Sequence, residues 1–219
     1  MGAVTRRVFR IYVDQAPVLM PAAAVVFVIT GVLSAVLLNA GAGAVLLSEL
    51  LSLVAITLFT GMIVELVADV QDGRRDSSPG QLLKAVAPVF GQLIGVAILA
   101  GVGILIGFVL LIVPGLILLT VWSVVAPVVV LERIGGFQAL RRSRELVRGD
   151  AWQVFGVIVV LDVMVTIVAL LIEGGAAAAS SGVGLVVSVI VGVLTAPIPA
   201  LASAVLYFDL RGPTDSSVV

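Results

Sequence analysis

An all-α polytopic membrane bundle of six transmembrane helices is predicted by three features of this chain. Of its 219 residues, 61% are hydrophobic and 11% charged, against roughly 45–50% and about 25% in soluble domains. Mean hydropathy is +1.30. The charges are confined to short stretches separated by apolar runs long enough to cross a bilayer core, which takes about 20 residues per helix. Finally, one arrangement of those runs puts all 12 basic residues on the same side, as the positive-inside rule requires.

The first span runs from about Pro17 to Leu38 and the second from about Leu46 to Ala68. The uncharged stretch between Lys84 and Glu132 holds two more, divided at Pro114-Gly115. The fifth runs from Ala151 to about Ile172, and the sixth from about Val183 to Tyr207, where Pro197 and Pro199 predict a kink or local break. Arg6, Arg7 and Arg10 before the first span invite comparison with a signal peptide. Its apolar run exceeds the roughly 7–15 residues of such a segment, so it is expected to remain as a helix.

Six spans starting inside leave residues 1–16, 69–84, 132–150 and 208–219 in the cytoplasm, and every Lys and Arg falls there. The opposite connections, near 39–45, 113–115 and 173–182, contain none. Residues 1–211 therefore read as one transmembrane domain, and 212–219 as a short disordered tail.

The cytoplasmic segments carry helical patterning of their own. Over 137–148, Phe137, Ala139, Leu140, Ser143, Leu146 and Val147 fill one half of a helical wheel. Arg141, Arg142, Glu145 and Arg148 fill the other, with Arg144 at the boundary. Such a helix is expected to lie in the interface with its arginines on anionic headgroups. The stretch from Arg6 to Tyr12 is a second, weaker case. Gly149-Asp150 ends the 137–148 helix and starts the fifth span, with Trp152 at headgroup level. Ser78-Pro79 reads as the N-cap and first turn of a helix entering the third span.

Several residues carry a family resemblance: Pro114-Gly115, the run from Ala126 to Glu132, and the segment from Gly135 through Ala139-Leu140-Arg141-Arg142-Ser143 to Gly149. Tyr207-Phe208-Asp209-Leu210-Arg211 completes the pattern. These resemble the bacterial family named for the membrane domain of glycerophosphoryl diester phosphodiesterases. The resemblance covers residues 114–155 and 205–211 and implies a membrane module of the bacterial cytoplasmic (inner) membrane, in some members fused to a cytosolic phosphodiesterase. Catalytic histidines of that enzyme cannot be carried over, because this chain has none.

With no histidine and no cysteine, the commonest general base, the thiolate nucleophile and the usual transition-metal ligands are missing. No catalytic constellation, metal site or cofactor is expected, and the net charge of −1 gives no reason to invoke nucleic acid. Three intramembrane polar candidates remain, Asp162, Thr166 and Glu65. Asp162 lies about 16 Å along the fifth span from Ala151, at 1.5 Å per residue, where a charge is costly and marks a functional or packed position. Asp162, Thr166, Ala169 and Glu173 share a face, so Asp162 is expected to be neutral or hydrogen-bonded to a hydroxyl such as Thr166 or Thr195. Glu65 and Asp69 share a face at the end of the second span and read as salt-bridging anchors with the Asp72 to Asp76 loop. Gly91-xxx-Gly95 and Gly103-xxx-Gly107 read as packing faces within the bundle, with a homo-oligomer contact as the alternative.

The expected function is a non-enzymatic membrane module. It binds anionic lipid headgroups or a partner protein through Arg141, Arg142, Arg144 and Arg148. The alternative is a small permease-like protein with a midplane acidic site at Asp162 beside the Pro197/Pro199 break.

Overall fold

The computed structural model describes residues 2–37, 41–73, 78–177 and 181–212, and these contain helices and no strand. The expectations for Arg74, Arg75, Asp76, the side chain of Glu173 and the tail beyond Gly212 lie outside the described residues. Helix α1 (Gly2–Asp14) leads through Gln15 into α2 (Ala16–Leu37), and α3 (Ala42–Gln71) packs along α2. The next span is composite: α4 (Pro79–Val86), a 3₁₀ turn at Ala87–Val89 around Pro88, then α5 (Phe90–Leu110). It starts as expected at Ser78, whose N–H donates to Gln81 Oε1 at 2.8 Å with Pro79 in the first turn.

The hairpin of the third and fourth spans turns earlier than Pro114-Gly115. Leu111 takes the extended conformation (φ −165°, ψ 152°) and separates α5 from α6 (Ile112–Val121). Pro114 sits inside the first turn of α6, where a missing N–H costs nothing, so it starts a helix and does not divide one. Close approach there depends on glycine. A Cβ on Gly107 would lie 3.0 Å from Gly115 Cα, and one on Gly115 would lie 2.5 Å from the Phe108 ring. Gly103 and Gly107 thus pack within the bundle as expected, but Gly91 and Gly95 face open space.

After α6 come α7 (Val125–Glu132), α8 (Gly136–Val147), α9 (Ala151–Ala177), α10 (Ser181–Thr195) and α11 (Pro197–Arg211). Among the described residues, six stretches are long and apolar enough to cross a membrane: 16–33, 43–71, 79–110, 112–132, 151–172 and 186–211. Half of the last stretch is buried within the protein, against 11% of the first and fifth, so α11 is the central element. It packs on α1, α3, α7 and α9, with Leu201, Ala204, Val205 and Tyr207 inaccessible. Arg7 donates to Gln71 at the end of α3, and Arg142 to Glu132 at the end of α7, at 2.8 and 3.0 Å. These bonds gather α1, α8 and the ends of α3 and α7 at one charged end.

Besides the composite third span, two spans are broken among the described residues, and hydroxyl groups from other helices bond to carbonyls at both breaks. Between α6 and α7, residues Trp122 to Val124 form a turn. Pro127 has no N–H to offer Ser123 O four residues back, and Ser203 Oγ of α11 donates to that carbonyl at 2.6 Å. Val125 N–H turns to Trp122 O, which frees Val121 O, and the fully buried Ser143 of α8 donates to it at 2.8 Å. At the expected break before Pro197, the Tyr12 hydroxyl of α1 donates to Leu194 O at 2.8 Å. Burial raises the Tyr12 pKa, so the phenol remains a donor.

An orphaned buried carbonyl costs about 1–3 kcal/mol. Ser203→Ala and Ser143→Ala should each lower stability by about that amount in a detergent-denaturant titration. Thr195→Val, which removes only a hydroxyl bonded to Val191 O of its own helix, should change it by less than about 0.5 kcal/mol.

Candidate functional site

The charged end is organised around α8. Arg133, in the left-handed conformation (φ 54°, ψ 33°), ends α7, and Gly136 (φ +60°) turns the chain into α8. The small residues Ala139 and Ser143, with Leu140 and Val147, are buried against the bundle, and α8 packs on α5, α6, α7 and α11. Much of the apolar face of α8 is thus docked on protein. Phe137, assigned to that face, is instead 77% exposed.

The arginines of α8 divide into two sets. Arg142 turns toward α7, its Nε donating to Glu132 Oε2 and Oε1 at 3.0 and 3.2 Å. The hydroxyl of the buried Tyr207 donates to Glu132 Oε1 at 2.9 Å, and Arg211 Nη1 reaches that hydroxyl at 3.4 Å. Arg142 therefore ties α7, α8 and α11 together, while its side chain, 32% exposed, still lines the surface beside Phe137 and Arg141. Arg141, Arg144 and Arg148 are exposed. Arg141 meets Glu145 at 3.2 Å in an open i,i+4 pair, an interaction of only about 0.3–0.5 kcal/mol.

Beside α8 lies a groove of about 400 Å³. Leu99, Val102 and Ile106 of α5 form an apolar wall, Trp122 closes one side, and Phe137, Arg141 and Arg144 line it from α8. Gly103 gives Trp122 its place, since a Cβ there would lie 2.5 Å from the indole Cζ3. The arrangement joins two cations to a hydrocarbon-lined channel.

Trp122 also lines a second cavity of about 240 Å³. Asp162 of α9 opens onto it together with Ser123, Ser203 and Pro199, amid Ile104, Leu119 and Ile158. The break between α6 and α7 and the start of α11 thus meet at the acid. Two expected partners are absent: Thr195 is bonded to its own helix, and Thr166 is exposed and outside the lining. Glu65 is half-buried on α3, away from the Asp162 lining, and both it and Asp69 have interaction partners. Trp152, the expected headgroup-level residue, is 80% exposed and stacks on Phe155.

Sequence reasoning missed the roles of Glu132, Tyr207, Ser123, Ser203 and Trp122. One signal was available, since Pro127 standing four residues after Ser123 marks that carbonyl as unpaired in a helix.

Six apolar crossings, a buried central helix and hydroxyl-repaired breaks define a multi-pass helical membrane protein. A family model described as a domain of unknown function (DUF8558) matches residues 82–210, and the chain belongs to that family. No curated protein and no solved structure matches it.

Because hydrogen bonds to charged groups are worth about 1.5–3 kcal/mol, Arg142→Ala should lower stability by about that much, and Tyr207→Phe by about 1–2 kcal/mol. Arg141→Ala should fall within about 0.5 kcal/mol of the parent in the same denaturation series.

Proposed function

We propose that this chain is a non-enzymatic module of a bacterial cytoplasmic membrane, with both termini in the cytoplasm, that binds anionic phospholipid at its charged end. One observation carries the reading: Arg141 and Arg144 stand beside a groove whose remaining wall is apolar, so a phosphate and its acyl chain find complementary surfaces together. Arg148 extends the basic surface along α8, whereas Arg142 serves it indirectly by holding α8 in place. The placement of every basic residue in the expected cytoplasmic segments supports the orientation. The resemblance of residues 114–155 and 205–211 to the phosphodiesterase membrane-domain family supports a module that anchors or presents something at the membrane. A protein partner at the same surface is the other outcome that the charge pattern allows.

The test is lipid competition on the full chain in nanodiscs that mix phosphatidylglycerol with phosphatidylcholine. Each basic residue near the surface contributes about 1 kcal/mol, so Arg141→Gln with Arg144→Gln should weaken phosphatidylglycerol enrichment by roughly 30-fold. Added salt should weaken the parent more steeply than the double variant, which keeps Arg148. Enrichment equal to the parent's in the double variant removes the proposal.

A second reading, a small permease with a midplane acidic site, is supported by the convergence of two helix breaks on the Asp162 cavity. Under it, Asp162→Asn should abolish solute flux into proteoliposomes. Under the lipid reading alone, the same substitution is silent in the enrichment assay.

A further inference from the structure

We infer that the cavity behind Trp122 is a binding site for a small organic cation, a protonated alkylamine whose ammonium group is held by Asp162. The residues lining the space include one acid and no Lys or Arg, so the site is wrong in sign for an anion. Without an opposite charge the acid is costly to ionise in these mostly apolar surroundings, so an ammonium group is the ligand that lets it carry its charge in place.

The remaining polar groups define how the cation is held. Ser203 Oγ already donates to Ser123 O, at 2.6 Å. Ser123 Oγ is buried and, among the described residues, has no hydrogen-bond partner. Buried hydroxyls are normally satisfied, and a small turn of the Ser123 side chain into the cavity would let it accept from an ammonium N–H held by Asp162.

Size and lining argue for an organic cation over a bare metal ion. Hard cations such as calcium take about 6–8 oxygen ligands, whereas the side-chain oxygens here come from one aspartate and two serines. A volume of about 240 Å³ far exceeds what one ion or water needs. Ile104, Leu119 and Ile158 offer an alkyl tail an apolar wall, and Trp122 supplies the aromatic surface that best attracts an ammonium group. This inference deepens the permease-like reading and is tested at equilibrium. Amine binding without flux removes the permease and leaves the site, whereas failure to bind removes the site itself.

The chain has two tryptophans, so Trp152→Phe leaves Trp122 as the sole indole reporter. The full-length variant, in neutral phosphatidylcholine nanodiscs, is titrated with n-butylammonium chloride, sodium chloride or n-butanol. Butylammonium should change Trp122 emission saturably, and Asp162→Asn should raise its Kd by about 10-fold or more, the scale of a lost charge-assisted hydrogen bond. Sodium and butanol at equal concentration should give no saturable change. An equal response to butanol, an equal response to sodium, or an unchanged Kd in Asp162→Asn overturns the inference. Should Asp162→Asn not fold, Ser123→Ala is expected to weaken the amine by roughly 3- to 10-fold, and an unchanged Kd in that variant overturns it equally.

Discussion

Hydrocarbon offers no hydrogen bonds to a backbone carbonyl, and most of this structure follows from that constraint. A transmembrane helix can break only where something else satisfies the groups it releases. Here the fourth span breaks before Pro127, and Ser203 and Ser143 take up the carbonyls of Ser123 and Val121. The sixth breaks before Pro197, and Tyr12 takes up Leu194 O. Each repair comes from a different helix, so a local defect becomes a tertiary link. In this way α1, α8 and α11 are tied to the breaks by polar bonds, in a protein whose apolar surfaces distinguish poorly between a neighbouring helix and lipid.

The links explain why α8 is a fixed platform. Ser143 seats its middle on the break in the fourth span, while Arg142, Glu132 and Tyr207 join it to α7 and α11. With much of the apolar face and Arg142 thus committed, Phe137, Arg141, Arg144 and Arg148 are left facing outward. The same breaks shape the Asp162 cavity, because the turn at Trp122 to Val124 swings Ser123 and the indole toward α9. The basic groove and the acidic cavity share Trp122 as a common wall, with Gly103 leaving the space that the ring occupies.

Much of the fold was legible in the sequence, because spans depend on hydropathy and length. The six apolar stretches, the Ser78-Pro79 start and the Pro197 break were all readable from composition and proline placement. Pro114 misled because a proline marks either a helix end or a helix start, and the choice rests on which side the chain packs. The wheel of α8 separated polar from apolar correctly for Ala139, Leu140, Ser143 and Val147. It could not say whether the apolar side meets lipid or protein, since both are equally greasy. Asp162 was recognisable as out of place, but its neighbours Ser123, Trp122 and Ser203 come from distant parts of the chain. The tying role of Arg142 was hidden for the same reason, as Tyr207 lies 65 residues further on.

The claim that a hydroxyl on α11 substitutes for a missing helical N–H is tested most directly by a double-mutant cycle between Pro127→Ala and Ser203→Ala, with unfolding free energies measured in one lipid–detergent mixture. Alanine at 127 restores the donor that Ser123 O lacks, so the account predicts that the cost of losing the Ser203 hydroxyl largely disappears in that background. The expected coupling is about 1 kcal/mol or more, the range found for residues sharing one bond network. Strict additivity, with Ser203→Ala equally costly in both backgrounds, would contradict it.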